Sequence, residues 1–137
     1  MKAILLNIIS FLFFFITITG QEKDTLLYRS LQPYDFHITY LLDDNSILID
    51  VREFFEYKKS RIHGALNIPS SGNLEMSADS IEKDKSLFFY CSSGFRSKRV
   101  ANYFSEHGFT KVYNLDGGIN AWQKETMPVE KKKLKRV

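Results

Sequence analysis

Hydrophobic positions in this chain alternate between short continuous runs and stretches with helical spacing. ILIDV (47–51) and SLFFY (86–90) are unbroken or nearly unbroken apolar runs. Runs of that length read as strands buried on both faces of a parallel sheet. TKVYNL (110–115) is a third strand candidate, and 65–68, stopped by Pro69, a short further one. Between them, PYDFHITYLL (33–42) spaces Phe36, Tyr40 and Leu41 at helical intervals. REFFEYKKS (52–60) predicts a short amphipathic helix that offers Phe54, Phe55 and Tyr57 for packing. RSKRVANYFSEHG (96–108) puts Val100, Ala101 and Phe104 on one stripe, with Gly108 where a helix-terminating glycine belongs. INAWQKE (119–125) predicts a last short helix, with Trp122 in the core. Residues 21–29 read as a loose polar lead-in, and 70–85 as a loop with about one helical turn. No two-residue hairpin turn joins apolar runs, so the pattern predicts an α/β domain with a mostly parallel central sheet flanked by helices.

The first twenty residues break this pattern. Lys2 precedes a nearly continuous apolar run from Ala3 to Ile18, which ends in Thr19 and Gly20. A cationic start, an apolar centre and small residues describe a secretory leader. The run is short of the about 20 apolar residues a membrane span needs, and Asn7 and Ser10 interrupt it. We therefore expect 1–20 to be a signal peptide, the alternative being an uncleaved anchor that would hold the protein at a membrane. The expected location is the periplasm or cell envelope. Residues 21–32 would be the lead-in, 33–129 the folded domain and 130–137 a basic tail. That tail carries five of the basic residues, and the net charge is only +3. So small an excess argues against a nucleic-acid partner.

Export makes the cysteine count informative. Exported domains usually pair their cysteines, yet Cys91 is the only one in the chain. A lone cysteine in such a protein suggests a free reactive thiol or an intermolecular bond. Cys91 directly follows the SLFFY strand, and open parallel sheets build their sites beyond the carboxyl ends of their strands. In CSSGFRS (91–97), small residues let the backbone curl, and Gly94 permits a positive φ. A curled loop entering a helix turns N–H groups inward and forms an anion nest. A thiol held there should ionise readily. Arg96 adds a cation able to fork onto an oxyanion. By itself the pattern leaves a buried structural cysteine equally open. There is no Cys-x-x-Cys, His-Glu-x-x-His or nucleotide-type glycine loop, so the sequence signals no metal and no organic cofactor.

ILIDVREFFEYKKSRIHGALNIP and YCSSGFRSKRVANYFSEHGFTKVYNLDGGINAW together resemble the two signature regions of rhodanese-like domains. The resemblance runs from about Pro33 to Val129, in matching order. It implies a rhodanese-like fold and sulfur transfer without a cofactor. Cys91 stands where the family's cysteine takes up a sulfane sulfur as a persulfide, and Ser92, Ser93, Gly94, Phe95 and Arg96 form the surrounding loop. The implied partners are a small sulfur-containing anion or persulfide donor, such as thiosulfate, and a thiol or cyanide acceptor. Asp50 and Arg52 lie in the family's Asp-Val-Arg stretch, as a substrate-side charge or an ion pair holding the strand end. Ser97 is a further candidate for a supporting role. Lys98 and Arg99 either draw in an anionic donor or form a solvated face. Asp116, Gly117 and Gly118 match the family's closing turn.

The chain departs from the family at Arg61 and His63, which stand where many members have histidine and proline. His63 could line the site, with a surface or packing role the default, as it is for His37 and His107. Two other functions remain open at this point. Cysteine phosphatases and arsenate reductases also hold a thiolate in a nest with an arginine, but the tyrosine-phosphatase signature has five intervening residues. Here there are four, Ser92 to Phe95. The other alternative is a binding module, or a slow persulfide carrier serving one protein.

Overall fold

A computed structural model of the chain describes residues 27–132. The expected leader (1–20), the start of the lead-in and the end of the basic tail lie outside them. The elements run β1 (Arg29–Leu31), α1 (Pro33–Leu41), β2 (Ser46–Asp50), α2 (Phe54–Lys59), β3 (Ser60–Arg61) and β4 (Leu66–Asn67). They continue with α3 (Leu74–Ser80), β5 (Ser86–Tyr90), α4 (Phe95–Glu106), β6 (Val112–Leu115), α5 (Gly118–Lys124) and β7 (Glu130–Lys131).

The main sheet has five strands in the order β1-β6-β5-β2-β4, and every pairing in it is parallel. β5 is central and wholly buried, flanked by β2 and β6. Its side chains alternate across the sheet, as a strand's period of two requires. Leu87 and Phe89 pack with Val100, Ala101 and Phe104 of α4 on one face. Phe88 and Tyr90 pack with Phe36 of α1 and Trp122 of α5 on the other. Each fully buried phenylalanine contributes about 1.5–3 kcal/mol relative to an exposed one. The two clusters pin the middle of the sheet and hold the carboxyl end of β5 in place, where Cys91 begins.

Several short elements differ from the sequence expectation. Part of the lead-in is an edge strand: Arg29–Leu31 pairs with Tyr113–Leu115. Its neighbours supply the order that its own polar pattern does not. The start of the basic tail is also a strand, β7, which pairs antiparallel with β3. α3 is a two-turn helix rather than one turn, begun by the Asn73 side chain accepting from the Met76 N–H at 2.9 Å. The helix at 54–59 forms as expected but buries none of its residues. Phe54 and Phe55, expected to pack, are 60% and 74% exposed.

Candidate active site

Cys91 sits where β5 ends, and the chain turns from it into the twelve-residue helix α4. Gly94 makes the turn possible. Its φ is +92°, and a Cβ there would stand 3.2 Å from the Gly117 nitrogen. The loop is held from behind by the start of α5. The Ile119 N–H donates to the Cys91 carbonyl at 2.8 Å, and the Asn120 N–H to the Ser92 carbonyl at 3.1 Å. With those carbonyls engaged, the loop's own N–H groups turn towards the sulfur. The Gly94 N–H donates to Cys91 Sγ at 3.1 Å, and the Ser97 hydroxyl does so at 3.4 Å.

This surrounding decides the ionisation of the thiol. Burial raises its pKa, since Cys91 is 1% exposed. Hydrogen bonds from the Ser97 hydroxyl and the Ser97, Ser93 and Gly94 N–H groups act the other way and prevail, so the net shift is downward. The N-terminus of α4 adds its dipole in the same sense. The arrangement is that of a thiol in a cradle of donors that favour its ionised form.

The Arg96 guanidinium, expected to fork onto an incoming oxyanion, is already engaged within the fold. It is forked onto Glu56 of α2, with Nη1 donating to Oε2 at 2.8 Å and Nη2 to Oε1 at 2.9 Å. Nη2 also donates to the Ser92 hydroxyl at 3.1 Å, and that hydroxyl donates to Glu56 Oε1 at 3.0 Å. The Arg96 contact holds the Glu56 carboxyl well below its usual range, at about 2. The same contact, with the nearby Cys91 charge, raises the Arg96 pKa. Glu56 is the site residue that sequence reasoning missed. Its one local signal was a capping box with Glu53, whose N–H it accepts at 3.0 Å. That pattern accounts for an acid at the start of α2 but not for its partner forty residues on.

The other candidates fall into two groups. Ser97 belongs to the cradle, fully buried against the sulfur. Phe95 stands at the rim, 71% exposed. Asp50 and Arg52 pair with each other in a buried fork, Nε to Oδ1 at 3.0 Å and Nη2 to Oδ2 at 2.7 Å. Arg52 also donates to the Ser60 carbonyl at 2.6 Å, tying the end of β2 to the α2–β3 junction. This geometry is that of the ion-pair alternative. Lys98 pairs with Asp116 at 3.3 Å rather than pointing at the thiol. His63 is on the β3–β7 side of the fold, where it bonds Glu130. His37 lies edge-on to Trp122, and His107 stacks on Tyr103.

A family model for the rhodanese-like domain matches residues 39–125, which spans both the α2 carboxylate and the cysteine loop. The chain belongs to the rhodanese-like family. Its relatives include the Bacillus subtilis protein named "Putative sulfurtransferase YtwF", 41% identical over 86 residues, which are 63% of this chain and 82% of that one. The tRNA uridine(34) hydroxylase of Pectobacterium atrosepticum is 33% identical over 82 residues, but the match spans only 23% of that enzyme. Among solved structures, a rhodanese-related protein from Thermoplasma volcanium aligns with a TM-score of 0.66 at 31% identity, over 75% of this chain and 98% of that one. The parallel five-stranded sheet flanked by helices is thus a rhodanese-like fold, and the matched residues include the loop that cradles Cys91.

Proposed function

We propose that the protein is a sulfurtransferase that carries a sulfane sulfur on Cys91, taking it from a donor such as thiosulfate and passing it to a thiol or cyanide. The observation that carries this reading is the convergence of the Gly94 N–H and the Ser97 hydroxyl on one buried sulfur. In the first step the Cys91 thiolate attacks the outer sulfur of thiosulfate. A new S–S bond forms to Sγ, the donor's S–S bond breaks, and sulfite leaves with its electron pair. In the second step an acceptor thiolate or cyanide attacks the terminal sulfur, and the pair returns to Sγ. Covalent storage divides the transfer into two displacements. Fixed N–H dipoles stabilise the anionic persulfide without reorganising. The four-residue span from Cys91 to Arg96 favours a single sulfur over a tetrahedral phosphate.

Incubation of the protein with thiosulfate, followed by intact mass, should show a gain of one sulfur that Cys91→Ser does not show. Added cyanide should release it as thiocyanate. Hydrolysis of a phosphate ester with no sulfur gain from any sulfane donor would overturn the proposal. The same proposal places the protein in the periplasm or cell envelope, supported by the cationic, apolar leader over 1–20. Fusing that leader to a reporter active only outside the cytoplasm tests the location.

A further inference from the structure

α2 meets the core only through the partly buried Tyr57 and turns its other aromatic residues away from it. Phe54 and Phe55 project from the helix with 60% and 74% of their surface exposed. They line an open groove of about 1070 Å³ together with Lys58, Lys59, Lys131 and Lys132. The lysines come from distant parts of the chain and meet because β7 pairs with β3. A hydrogen bond from the Lys132 N–H to the Lys59 carbonyl, at 3.2 Å, sets them side by side. A helix C-terminus favours Lys58 and Lys59 through its dipole, but it gives no reason for Lys131 and Lys132 to join them. None of the four makes an ion pair among the described residues. The one acid in the groove wall, Glu56, is already neutralised by Arg96. The groove is therefore net positive, with an apolar side formed by two phenylalanines.

Its wall adjoins the cysteine loop through two residues. Glu56 and Asn120 both line the groove, and both hold Ser92, the residue after the thiol, one through its hydroxyl and the other through its carbonyl. An occupant of the groove would thus lie beside the loop that carries Cys91. Four lysines beside two phenylalanines suit a segment that pairs acidic residues with an apolar one.

We propose that this groove docks an acidic segment of a partner protein that bears, beside an apolar residue, the thiol receiving sulfur from Cys91. This rests on the persulfide reading above. The partner's thiolate attacks the terminal sulfur of the persulfide, a new S–S bond forms on the partner, and the bond to Sγ breaks with its electron pair returning to Cys91. No oxidant or reductant is consumed. Lysines around the groove steer the acidic segment, and the phenylalanines take its apolar side chain.

The test uses two synthetic peptides with a central Phe-Cys pair, one flanked by Asp and Glu and the other by Lys. Binding is read by fluorescence anisotropy on versions with serine for cysteine, so that it does not depend on sulfur transfer. Transfer from the persulfide-loaded protein is read by mass, with 2-mercaptoethanol as an uncharged acceptor. The acidic peptide should bind and accept sulfur about tenfold better than the basic one, and less so as salt shortens the screening length. Joint Lys58→Ala, Lys59→Ala, Lys131→Ala and Lys132→Ala replacement should remove that preference and leave transfer to 2-mercaptoethanol unchanged. Phe54→Ser with Phe55→Ser should weaken both peptides alike. All six side chains are outside the core, so unchanged thermal unfolding checks each variant. Equal binding of the two peptides would overturn the proposal. So would retention on phosphatidylglycerol vesicles without a preference for the acidic peptide, which would assign the surface to a membrane. Failure of the persulfide to form, with the binding preference intact, would overturn the sulfur-transfer reading and leave the docking surface standing.

Discussion

Glu56 and Arg96 meet through two parallel hydrogen bonds of 2.8 and 2.9 Å, joining α2 to the cysteine loop. A paired guanidinium is a weaker lure for an anion than a free one. Arg96 in this chain therefore shapes the loop before it serves any donor. The pair orients the Ser92 hydroxyl and ties α2 to the cysteine loop.

Replacing Glu56 by Gln should release the positive charge towards an incoming donor. We expect KM for thiosulfate to fall severalfold, and kcat to fall as well because the loop loses its brace. Steady-state kinetics with thiosulfate and cyanide check this. An unchanged KM would mean that Arg96 does not face the donor.

The same carboxylate sets an acid limit on the fold. Its pKa is about 2 in the folded protein against an ordinary 4.5, lowered chiefly by Arg96. A depressed acid pKa contributes stability that is present above the unfolded value and is lost as pH falls through the folded one. Urea unfolding should thus show the native state weakening between about pH 4.5 and about pH 2. Glu56→Gln should lose the part of that slope that Glu56 supplies.

The thiol should ionise below the range of a free cysteine. Burial opposes this, and the bonds from Ser97 and the loop N–H groups outweigh it. Since Cys91 is the only cysteine, thiolate ultraviolet absorbance reports it alone, with Cys91→Ser as the blank. Ser97→Ala removes one donor and leaves the burial, so its titration midpoint should move up, and persulfide loading near neutral pH should slow.

Gly118 has no room for a side chain. At φ +61° a Cβ would stand 2.4 Å from the Cys91 carbonyl and 2.6 Å from the Ser92 carbonyl carbon. Gly118→Ala should cost about 1–3 kcal/mol from the backbone conformation alone, and more from the clash. It should also push the loop forward, so sulfur uptake should fail in the fraction that remains folded. Chemical unfolding and the mass assay read the two effects separately.

Asp50→Asn leaves Arg52 buried with half of its partners. Breaking a buried pair this way costs about 3–5 kcal/mol. The pair touches neither Cys91 nor its donors, so persulfide formation per folded molecule should stay at the wild-type level. A loss of chemistry larger than the loss of folded protein would return Asp50 to the substrate.

Most of the scaffold could be read from the chain, because its strands and longer helices carry their own periodicity. SLFFY had to be an inner strand, since no other element buries five consecutive residues. The stripe of Val100, Ala101 and Phe104 had to meet it. The loop alone left Cys91 as open to packing as to chemistry, and only the resemblance of the longer stretches around it pointed to chemistry. The short pieces were different. Arg29–Leu31 and Glu130–Lys131 have no pattern of their own and become strands only because a neighbouring strand offers unpaired N–H and C=O groups.

The sequence by itself determined the alternating architecture, the cysteine loop and the donors that local turns bring to the sulfur, because each depends on residues close together along the chain. Only the tertiary structure decided that Arg96 is paired with Glu56, and that Asp50 and Arg52 close on each other. It alone also brought four lysines and two phenylalanines to one groove beside Ser92. Those relationships join residues far apart in sequence. Charge pairing depends on distance in space, and composition and periodicity do not encode it.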